Sequence, residues 1–389
     1  MKRGLALLVA GLLLGGCVST PTTTPQQTAL KSDALGLSFV PAPVVADRWW
    51  SAFGDPQLDR LVDAALKDNP SLAVAEARVR AAQAELSSAR ALTYPQISLD
   101  GQEANEHLSK NYIIPPPYGG TDRWIGQIQS NLSWSLDFFG KQDAQVARAR
   151  AGAHAAELDS TAARLMLAGT VTQAYIALWH ADALVDVDRQ TVTQREGILR
   201  LTGGRVRAGL DTTASQKQAE ALLAFSREEL TRATAARDLA VHQIAALIGR
   251  GADAYAIDRP QLNAAALPLP GALPVDLLAR RADIAAAQAR IEAAFQGREV
   301  ARKAYYPDIN LLALAGTAAI GLGPLFSSSS FQYGAGAAIH LPIFDAGKLD
   351  ADYAGATADL DAAVGDYNQS IVTAVKQTAD AITRRRHTR

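Results

Sequence analysis

A stretch of 23 residues in the first third of the chain recurs, without a gap, 212 positions later. ARVRAAQAELSSARALTYPQISL begins at Ala77 and aligns with ARIEAAFQGREVARKAYYPDINL, which begins at Ala289. Further along each copy, SLDFFGK (135–141) aligns with HLPIFDAGK (340–348), where the later copy has two extra residues. Two matched blocks in the same order indicate a duplicated unit, so a fold proposed for one half has to serve the other half as well.

Each copy is typical of a helix, two strands and a second, longer helix. In the first copy Asn69 can cap the opening helix and Pro70 suits its first position. The Tyr-Pro step that follows ends this helix, because proline moves the preceding residue out of helical geometry. The pattern predicts strands at about 95–105 and 124–138 in the first copy, and at about 307–316 and 331–344 in the second.

Residues 124–138 alternate with period two, which predicts a strand with one apolar and one polar face. The even positions are largely apolar, and the odd positions are polar except for Ile125. If the apolar face met lipid, its candidate lipid-facing residues would be Ile128, Leu132, Trp134 and Leu136. The candidate lumen-facing residues on the other side would be Gln127, Gln129, Asn131 and Ser133.

The region from about 141 to 250 predicts a long antiparallel helical hairpin. No proline occurs between Pro117 and Pro260, and glycines at 203, 204 and 209 mark a tip at about 201–211. The returning helix has a heptad seam in which Arg237 is the one exception to small or apolar residues. The seam residues are Ala219, Leu223, Ser226, Leu230, Ala233, Arg237, Ala240, Ile244 and Leu247.

Two hairpins with apolar faces leave two packing solutions open. They could pack on each other as a small soluble sandwich. If they face lipid instead, the sheet must close into a barrel, because unpaired backbone groups are not tolerated there. Four strands are too few to close one, so each chain would supply a sector of a barrel shared among subunits.

The N-terminus is typical of an exported protein. Lys2 and Arg3 precede an apolar run that is too short to span a bilayer, followed by Gly15, Gly16 and Cys17. LGGC resembles the bacterial lipobox, which implies that residues 1–16 are a signal peptide and that Cys17 is an acylated lipid anchor. We expect residues 17–47 to form a flexible tract. Val18 stands where an Asp would favour retention at the inner membrane, so the resemblance implies the outer membrane.

Composition and motifs argue against several functional classes. The formal net charge is −1, which suggests no nucleic-acid partner, and the single cysteine leaves no disulfide. The six histidines show no spacing suited to a metal, and no Gly-x-Ser-x-Gly motif or carboxylate pair is evident. The sequence therefore predicts no enzyme, no metal and no cofactor.

From Arg48 onward the chain resembles the TolC-like outer-membrane efflux proteins, specifically their lipoprotein branch. The stretches WWSAFGDPQLDRLVDAALKDNPSL and LPLPGALPVDLLARRADIAAAQARI carry the resemblance, although that family usually has proline where Ala282 stands. The resemblance implies a mainly α chain with a β-barrel sector, and a homotrimer that shares a 12-stranded barrel and an α-helical tunnel. It also implies a passive exit duct for drugs or other small molecules. A periplasmic adaptor (membrane fusion protein) and an inner-membrane pump would be its partners.

Within that family the tip motif that meets the adaptor is Arg, three residues, then Gly-Leu. Arg205, Gly209 and Leu210 match it, which implies an adaptor-contact tip. The resemblance divides the chain into a first repeat at 48–260, a linker at 261–281 and a second repeat at 282–389. The second copy ends at a position that maps to about Asp182 of the first, so we expect an incomplete repeat that assembles poorly or forms a defective channel.

A rival interpretation is a lipid-anchored periplasmic coiled-coil scaffold or adaptor that forms no pore. The strand at 124–138 separates the two interpretations, since only the channel needs its apolar face to contact lipid.

Overall fold

The computed structural model describes residues 22–30, 47–111, 113–251, 257–263 and 280–387. The signal-like segment, Cys17 and most of the expected linker at 261–281 lie outside these ranges. The chain forms two compact units. The first comprises Arg80–Ala155, Ala286–Val372 and residues 22–30, and the second comprises the described parts of Ser32–Val79, Ala156–Ala285 and Thr373–Arg389.

Two capped helices precede the sheet. Helix α1 (Pro56–Asp68) begins after Asp55, whose carboxylate accepts a 2.9 Å hydrogen bond from the backbone N–H two residues on. Helix α2 (Pro70–Ala91) begins after Asn69, whose side-chain oxygen accepts one of 2.8 Å in the same way. Each helix starts with proline, whose fixed φ suits the position and whose missing N–H would have no intrahelical partner there. The cap predicted at Asn69 is confirmed.

The sheet is a four-stranded antiparallel meander in which each strand pairs with the next along the chain. Its strands are β1 (Gln96–His107), β2 (Asp122–Ser135), β3 (Asp308–Ile320) and β4 (Phe331–His340). The hairpin of the first copy is thus joined to the hairpin of the second through the β2–β3 pair. Both copies contribute to one continuous sheet, which excludes the sandwich of two separate hairpins.

Two strands end earlier than the sequence pattern suggests. β2 stops at Ser135 instead of 138, because the chain turns tightly there and the N–H of Phe138 donates to the carbonyl of Leu136 at 2.7 Å. Leu136 therefore lies just outside the strand on which we expected it. β4 stops at His340 instead of 344, shortly before Pro342, which has no N–H to give to a ladder.

The long helices follow the strands. Helix α3 (Lys141–Arg207) runs unbroken for 67 residues, and α4 (Thr213–Leu247) contains 35. The second copy provides α5 (Ala282–Lys303) before its strands and α6 (Lys348–His387) after them. Among the described helices, none has an apolar stretch long enough to cross a membrane.

The seam of α4 packs as the heptad pattern predicts. Ala219, Leu223, Ser226 and Ile244 are buried, and the other seam positions are half-buried. Arg237, the exception, reaches α3, where its Nε lies 3.4 Å from Oδ1 of Asp182. The charged residue is tolerated at the seam because two carboxylates compensate it, that of Asp182 on the facing helix and that of Asp238, whose Oδ1 lies 3.0 Å from Nη1 of Arg237.

The core of the second unit is formed where the first two helices meet α3 and α4. Its fully buried members include Leu58 and Val62 of α1, Val171 and Leu178 of α3 and Ile244 of α4. Side chains before α1 also contribute, since Trp50 is buried in the same cluster. This explains why the WWSAFGDP stretch is attached to the helical hairpin.

Residues 22–30 differ from the flexible tract that we expected between 17 and 47. They have no helix or strand of their own, yet their backbone is hydrogen-bonded to side chains of α6. The amide N–H groups of Gln26 and Gln27 both donate to Asp361. The remainder of that tract, up to residue 46, lies outside the described residues.

Candidate functional site

One face of the sheet carries an apolar belt. The strand registers place Ile97, Leu132, Ala313 and Ala335 in a single row across all four strands. Toward the helices, the next rows on this face contain Trp134, Leu311 and Ala337, and then Ile309 and Ile339. Away from the helices, they contain Leu99, Ser130, Ala315 and Tyr333, and then Gly101, Ile128, Thr317 and Phe331. Ile128, Leu132 and Trp134 therefore share one face, as the alternation predicts.

The belt has a defined height. Rows of one face are two residues apart, so the five rows from Ile309 to Ile128 extend about 27 Å along the strands at ~3.4 Å per residue. The next row contains Glu103, and the pair His107 and Asp122 follows with 3.0 Å between Nδ1 and Oδ1. Charged residues thus begin where the belt ends. Its height fits the apolar band of outer-membrane barrels, which is about 25 Å.

Many belt side chains are exposed in the single chain, and the others, including Ile128 and Leu132, are half-buried. Leu99 is 74% exposed and Tyr333 is 81% exposed, although both are large and apolar. Aromatic residues lie toward both ends of the belt, with Trp134 near the helices and Phe331 in the last row at the other end, and Trp124 follows beyond the row of Glu103. An apolar surface of this size on a sheet face needs a nonaqueous partner, such as lipid or another protein surface.

The opposite face of the first hairpin is polar and internally hydrogen-bonded. Gln127, Gln129 and Asn131 lie on β2 in succession on this face, and each amide donates to the next residue, with 3.0 Å between Gln129 and Asn131. Asn131 then donates to Oδ2 of Asp100 on β1 at 2.7 Å. Ser133 is exposed further along the same face. Gln127, Gln129 and Asn131 are therefore joined in one hydrogen-bonded ladder across two strands, and Ser133 lies beyond it on the same face.

The second hairpin does not repeat this polarity, which sequence reasoning missed. On the same face β3 presents Leu312 and Leu314, and β4 presents Gly334 and Gly336 opposite them. The sequence does contain an indication of this difference. β3 reads DINLLALAGTAAI, in which both the odd and the even positions are largely apolar. The polar face of the sheet thus consists of a hydrogen-bonded half and a half of small or apolar residues.

The two edge strands, β1 and β4, each pair on one side only. An apolar sheet with free edges is not stable in lipid, because the unpaired N–H and C=O groups have no water to bind. Within the described residues no further strand covers either edge. A membrane location of the belt therefore requires strands from other chains.

The tip of the hairpin between α3 and α4 is closed by backbone geometry. Gly209 has a φ of +73°, in the left-handed region where a side chain would be strained. The N–H of Leu210 donates to the carbonyl of Arg205 at 2.8 Å, as in a Schellman C-cap. The three tip residues predicted from the sequence are therefore joined in one turn, which ends α3.

The side chains at this tip point to solvent. Leu210 is 70% exposed, and Nε of Arg205 lies 3.7 Å from Oδ2 of Asp211. Hydrogen bonds from Ser215 and from the N–H of Thr212, with a smaller effect of Arg205, lower the pKa of Asp211. The tip thus presents an apolar side chain beside a fixed carboxylate and an arginine.

The described residues contain no group of three or more histidine, cysteine, aspartate or glutamate side chains suited to hold a metal ion. The features that the structure offers for a function are the apolar sheet face and the tip of the helical hairpin.

Comparison with known proteins agrees with this geometry. The family described as "Outer membrane efflux protein" matches residues 61–250 and 273–388. The fusaric acid resistance protein FusA of Burkholderia cepacia is 36% identical over 371 residues, covering 91% of this chain and 69% of that protein. The putative multidrug resistance outer membrane protein MdtQ of Escherichia coli K12 is 29% identical over 386 residues, covering 95% and 80%.

A solved structure has the same fold. The outer membrane protein VceC of Vibrio cholerae is 34% identical, with a TM-score of 0.81 over 87% of this chain and 81% of that chain. These matches confirm the resemblance to TolC-like efflux proteins and do not favour a scaffold without a pore. The chain belongs to the outer membrane efflux protein family and is an outer-membrane channel subunit with a helical periplasmic part.

Proposed function

We propose that this subunit forms the exit duct of a three-part export system as a homotrimer, with a periplasmic adaptor and an inner-membrane pump as its partners. The observation that carries the proposal is the open sheet with an apolar belt and two free edges. Three such four-stranded sheets would give the twelve strands of a closed barrel. The duct would pass drugs or other small molecules passively and catalyse no reaction.

The duplication predicts how the edges of neighbouring subunits would pair. Leu311 of β3 corresponds to Leu99 of β1, and Trp134 of β2 corresponds to Ile339 of β4 in the aligned repeats. Within the chain Trp134 pairs with Leu311. By the same geometry, Ile339 of one subunit would pair with Leu99 of the next.

Disulfide cross-linking tests this pairing. A chain with both Leu99→Cys and Ile339→Cys should form covalent trimers under mild oxidation, because opposed Cβ atoms lie about 5 Å apart. The matched control is Leu99→Cys with Ala338→Cys, which presents its second thiol on the opposite face. Equal cross-linking of both pairs, or of neither, would contradict the proposed register.

The two faces of the sheet would have separate roles. Ile128, Leu132 and Trp134 would face lipid, with Leu136 at the point where the chain leaves the sheet. Gln127, Gln129, Asn131 and Ser133 would line the duct, where their amides can bind water. Stepwise conductance by the purified protein in a planar bilayer tests the duct itself, and its absence from a trimer of correct mass would favour the scaffold instead.

Arg205, Gly209 and Leu210 would form the contact with the adaptor. The exposed Leu210 supplies an apolar anchor there, and the ion pair of Arg205 keeps the surrounding turn in place. Adaptor binding to the immobilised trimer, compared with Leu210→Asp, tests this role.

Cys17 would be acylated and would hold the N-terminus in the periplasmic leaflet of the outer membrane. Each buried methylene contributes ~0.8 kcal/mol, so several acyl chains give firm anchoring. Mass spectrometry of the mature N-terminus tests the modification, and an unmodified cysteine would refute it.

A further inference from the structure

The segment 22–30 is held on α6 by side chains that bind its backbone. The N–H groups of Gln26 and Gln27 both donate to Oδ1 of Asp361, each at 2.8 Å. Because the acceptor is a carboxylate, these bonds are charge-assisted and stronger than bonds between neutral groups. One side chain of α6 thus fixes two consecutive peptide units.

Seven residues further along α6, Asn368 makes a second paired contact. Its Oδ1 accepts from the N–H of Leu30 at 2.8 Å, and its Nδ2 donates to the carbonyl of Thr28 at 3.0 Å. An amide side chain that donates and accepts at once binds a peptide as a neighbouring strand would. Only backbone atoms of the segment are used.

Arg298 of α5 makes a third contact near the start of the segment. Its Nη2 donates to the carbonyl of Thr23 at 3.3 Å, while its Nε donates to Thr357 at 3.1 Å. The guanidinium also lies over the ring of Tyr353, 4.8 Å from the centroid. Two partners from α6 therefore orient the arginine toward the segment.

These contacts fix the direction of the segment. Its first contact is near Thr357, the next is at Asp361 and the last is at Asn368, so the segment runs along α6 in the direction of that helix. Helix α6 starts at Lys348, shortly after β4 ends. The chain therefore leads back, toward its N-terminus, in the direction of the sheet.

We propose that Arg298, Asp361 and Asn368 form a backbone clamp that aims the N-terminus at the membrane end of the first unit. The inference rests on the lipid anchor proposed at Cys17. Thr23 lies six positions after Cys17, and a chain of that length extends at most about 20 Å. Arg298 lies five residues before the end of α5, or about 8 Å of helix, so a chain of this length can reach the base of the apolar belt.

Hydrogen–deuterium exchange of the full chain in detergent tests the clamp. In the wild type the peptide covering residues 22–30 should be protected. Asp361→Ala combined with Asn368→Ala should accelerate exchange there by at least about tenfold. The reason is that losing the hydrogen bonds to the Asp361 carboxylate, or those to the Asn368 side-chain amide, is worth about that factor. Asp361→Asn alone, with Asn368 intact, keeps an acceptor oxygen at position 361 and should retain most of the wild-type protection. Asp359→Ala, at an exposed position on the same helix, is the matched control.

Unchanged protection in the double variant would overturn the clamp, whatever the state of Cys17. Deleting residues 18–21 tests the link to the anchor. In liposomes the shortened spacer should pull residues 22–30 off α6, so protection should fall. The same deletion with Cys17→Ser should leave protection intact, because no lipid then pulls on the segment.

If the deletion alone leaves protection intact while mass spectrometry finds Cys17 acylated, the proposed aim of the N-terminus is wrong. If Cys17 carries no lipid, the anchor fails, and the exchange of the double variant still decides whether the clamp exists.

Discussion

The phenolic hydroxyl of Tyr175 donates a 2.7 Å hydrogen bond to Oδ2 of Asp55, and both side chains are buried. This bond joins the middle of α3 to the residue that caps α1. Gln57 donates to the same hydroxyl at 2.8 Å, and the N–H of Gln261 donates to the same carboxylate oxygen at 2.8 Å. Three separate parts of the second unit thus meet at one carboxylate.

Replacing Tyr175 with Phe should therefore destabilise the second unit. The change removes one hydrogen bond to a buried charged group, which is worth about 1.5–3 kcal/mol. Thermal unfolding followed by circular dichroism at neutral pH should show the loss. The matched control is Tyr305→Phe in the first unit, which removes the bond from a tyrosine hydroxyl to the exposed carboxylate of Asp350. It should cost less stability, because Asp350 remains in contact with water. An unchanged midpoint for Tyr175→Phe would contradict the importance of the bond.

The same carboxylate predicts a pH dependence. Burial opposes ionisation of Asp55, but the bonds from Tyr175 and from backbone N–H groups outweigh it and lower its pKa. A carboxyl whose pKa is lowered by folding stabilises the fold above its unfolded pKa of about 4, and that contribution is lost as the pH falls through the lowered value. Asp55→Asn should therefore be less stable than wild type at pH 7, and the difference should shrink as the pH approaches 2. A difference independent of pH would refute this assignment.

Charges placed on the two faces of β2 should have opposite consequences. Leu132→Arg puts a cation in the middle of the apolar belt and should cost ~2–4 kcal/mol if that face meets lipid. Gln129→Arg on the polar face should insert normally. The measurement is the fraction of each variant that remains in outer membranes after extraction with urea. Equal retention of the two variants would argue against a lipid-facing belt.

The tip residues separate a backbone role from a contact role. Gly209→Ala forces a side chain into a left-handed conformation, which costs about 1–2 kcal/mol, so it should lower the unfolding midpoint of the hairpin. Leu210→Asp changes an exposed side chain and should leave stability unaltered while it weakens adaptor binding. Surface plasmon resonance with the cognate adaptor, alongside thermal unfolding, distinguishes the two effects. Loss of stability in the Leu210 variant would contradict the contact role.

The arginine in the coiled-coil seam provides a further test. Asp182→Ala would leave Arg237 half-buried and without its partner on α3, so unfolding should become easier by up to about 1 kcal/mol. Arg237→Leu restores the apolar heptad and should be neutral or stabilising. Urea titration of both variants measures the difference. Greater destabilisation by Arg237→Leu than by Asp182→Ala would mean that the ion pair itself stabilises the seam.

The period-two pattern of β2 predicted the two faces of the first hairpin, and the register bears this out because a strand side chain can only alternate. The same reasoning failed for β3, whose residues are apolar at both parities, so periodicity could not assign a polar side. The strand ends were also misplaced, since the turn at Leu136 depends on a hydrogen bond that no local pattern reveals.

The seam and the caps were local enough to be recognised in the sequence. The contacts of residues 22–30 were not, because Asp361 and Asn368 lie more than 330 positions away and bind only backbone atoms. A Pro/Thr-rich tract has no apolar periodicity of its own. Its order comes from another part of the chain, and composition alone therefore predicts flexibility.

The unequal halves of the polar face have a consequence for transport. In the proposed trimer, three hydrophilic sectors built from amide ladders would alternate around the duct with three sectors of leucine, alanine and glycine. Such a wall is wetted in stripes. An amphiphilic solute could keep its polar groups hydrated along one stripe while its hydrocarbon part slides along the next, so the duct would tolerate chemically unlike cargo without binding any of it tightly.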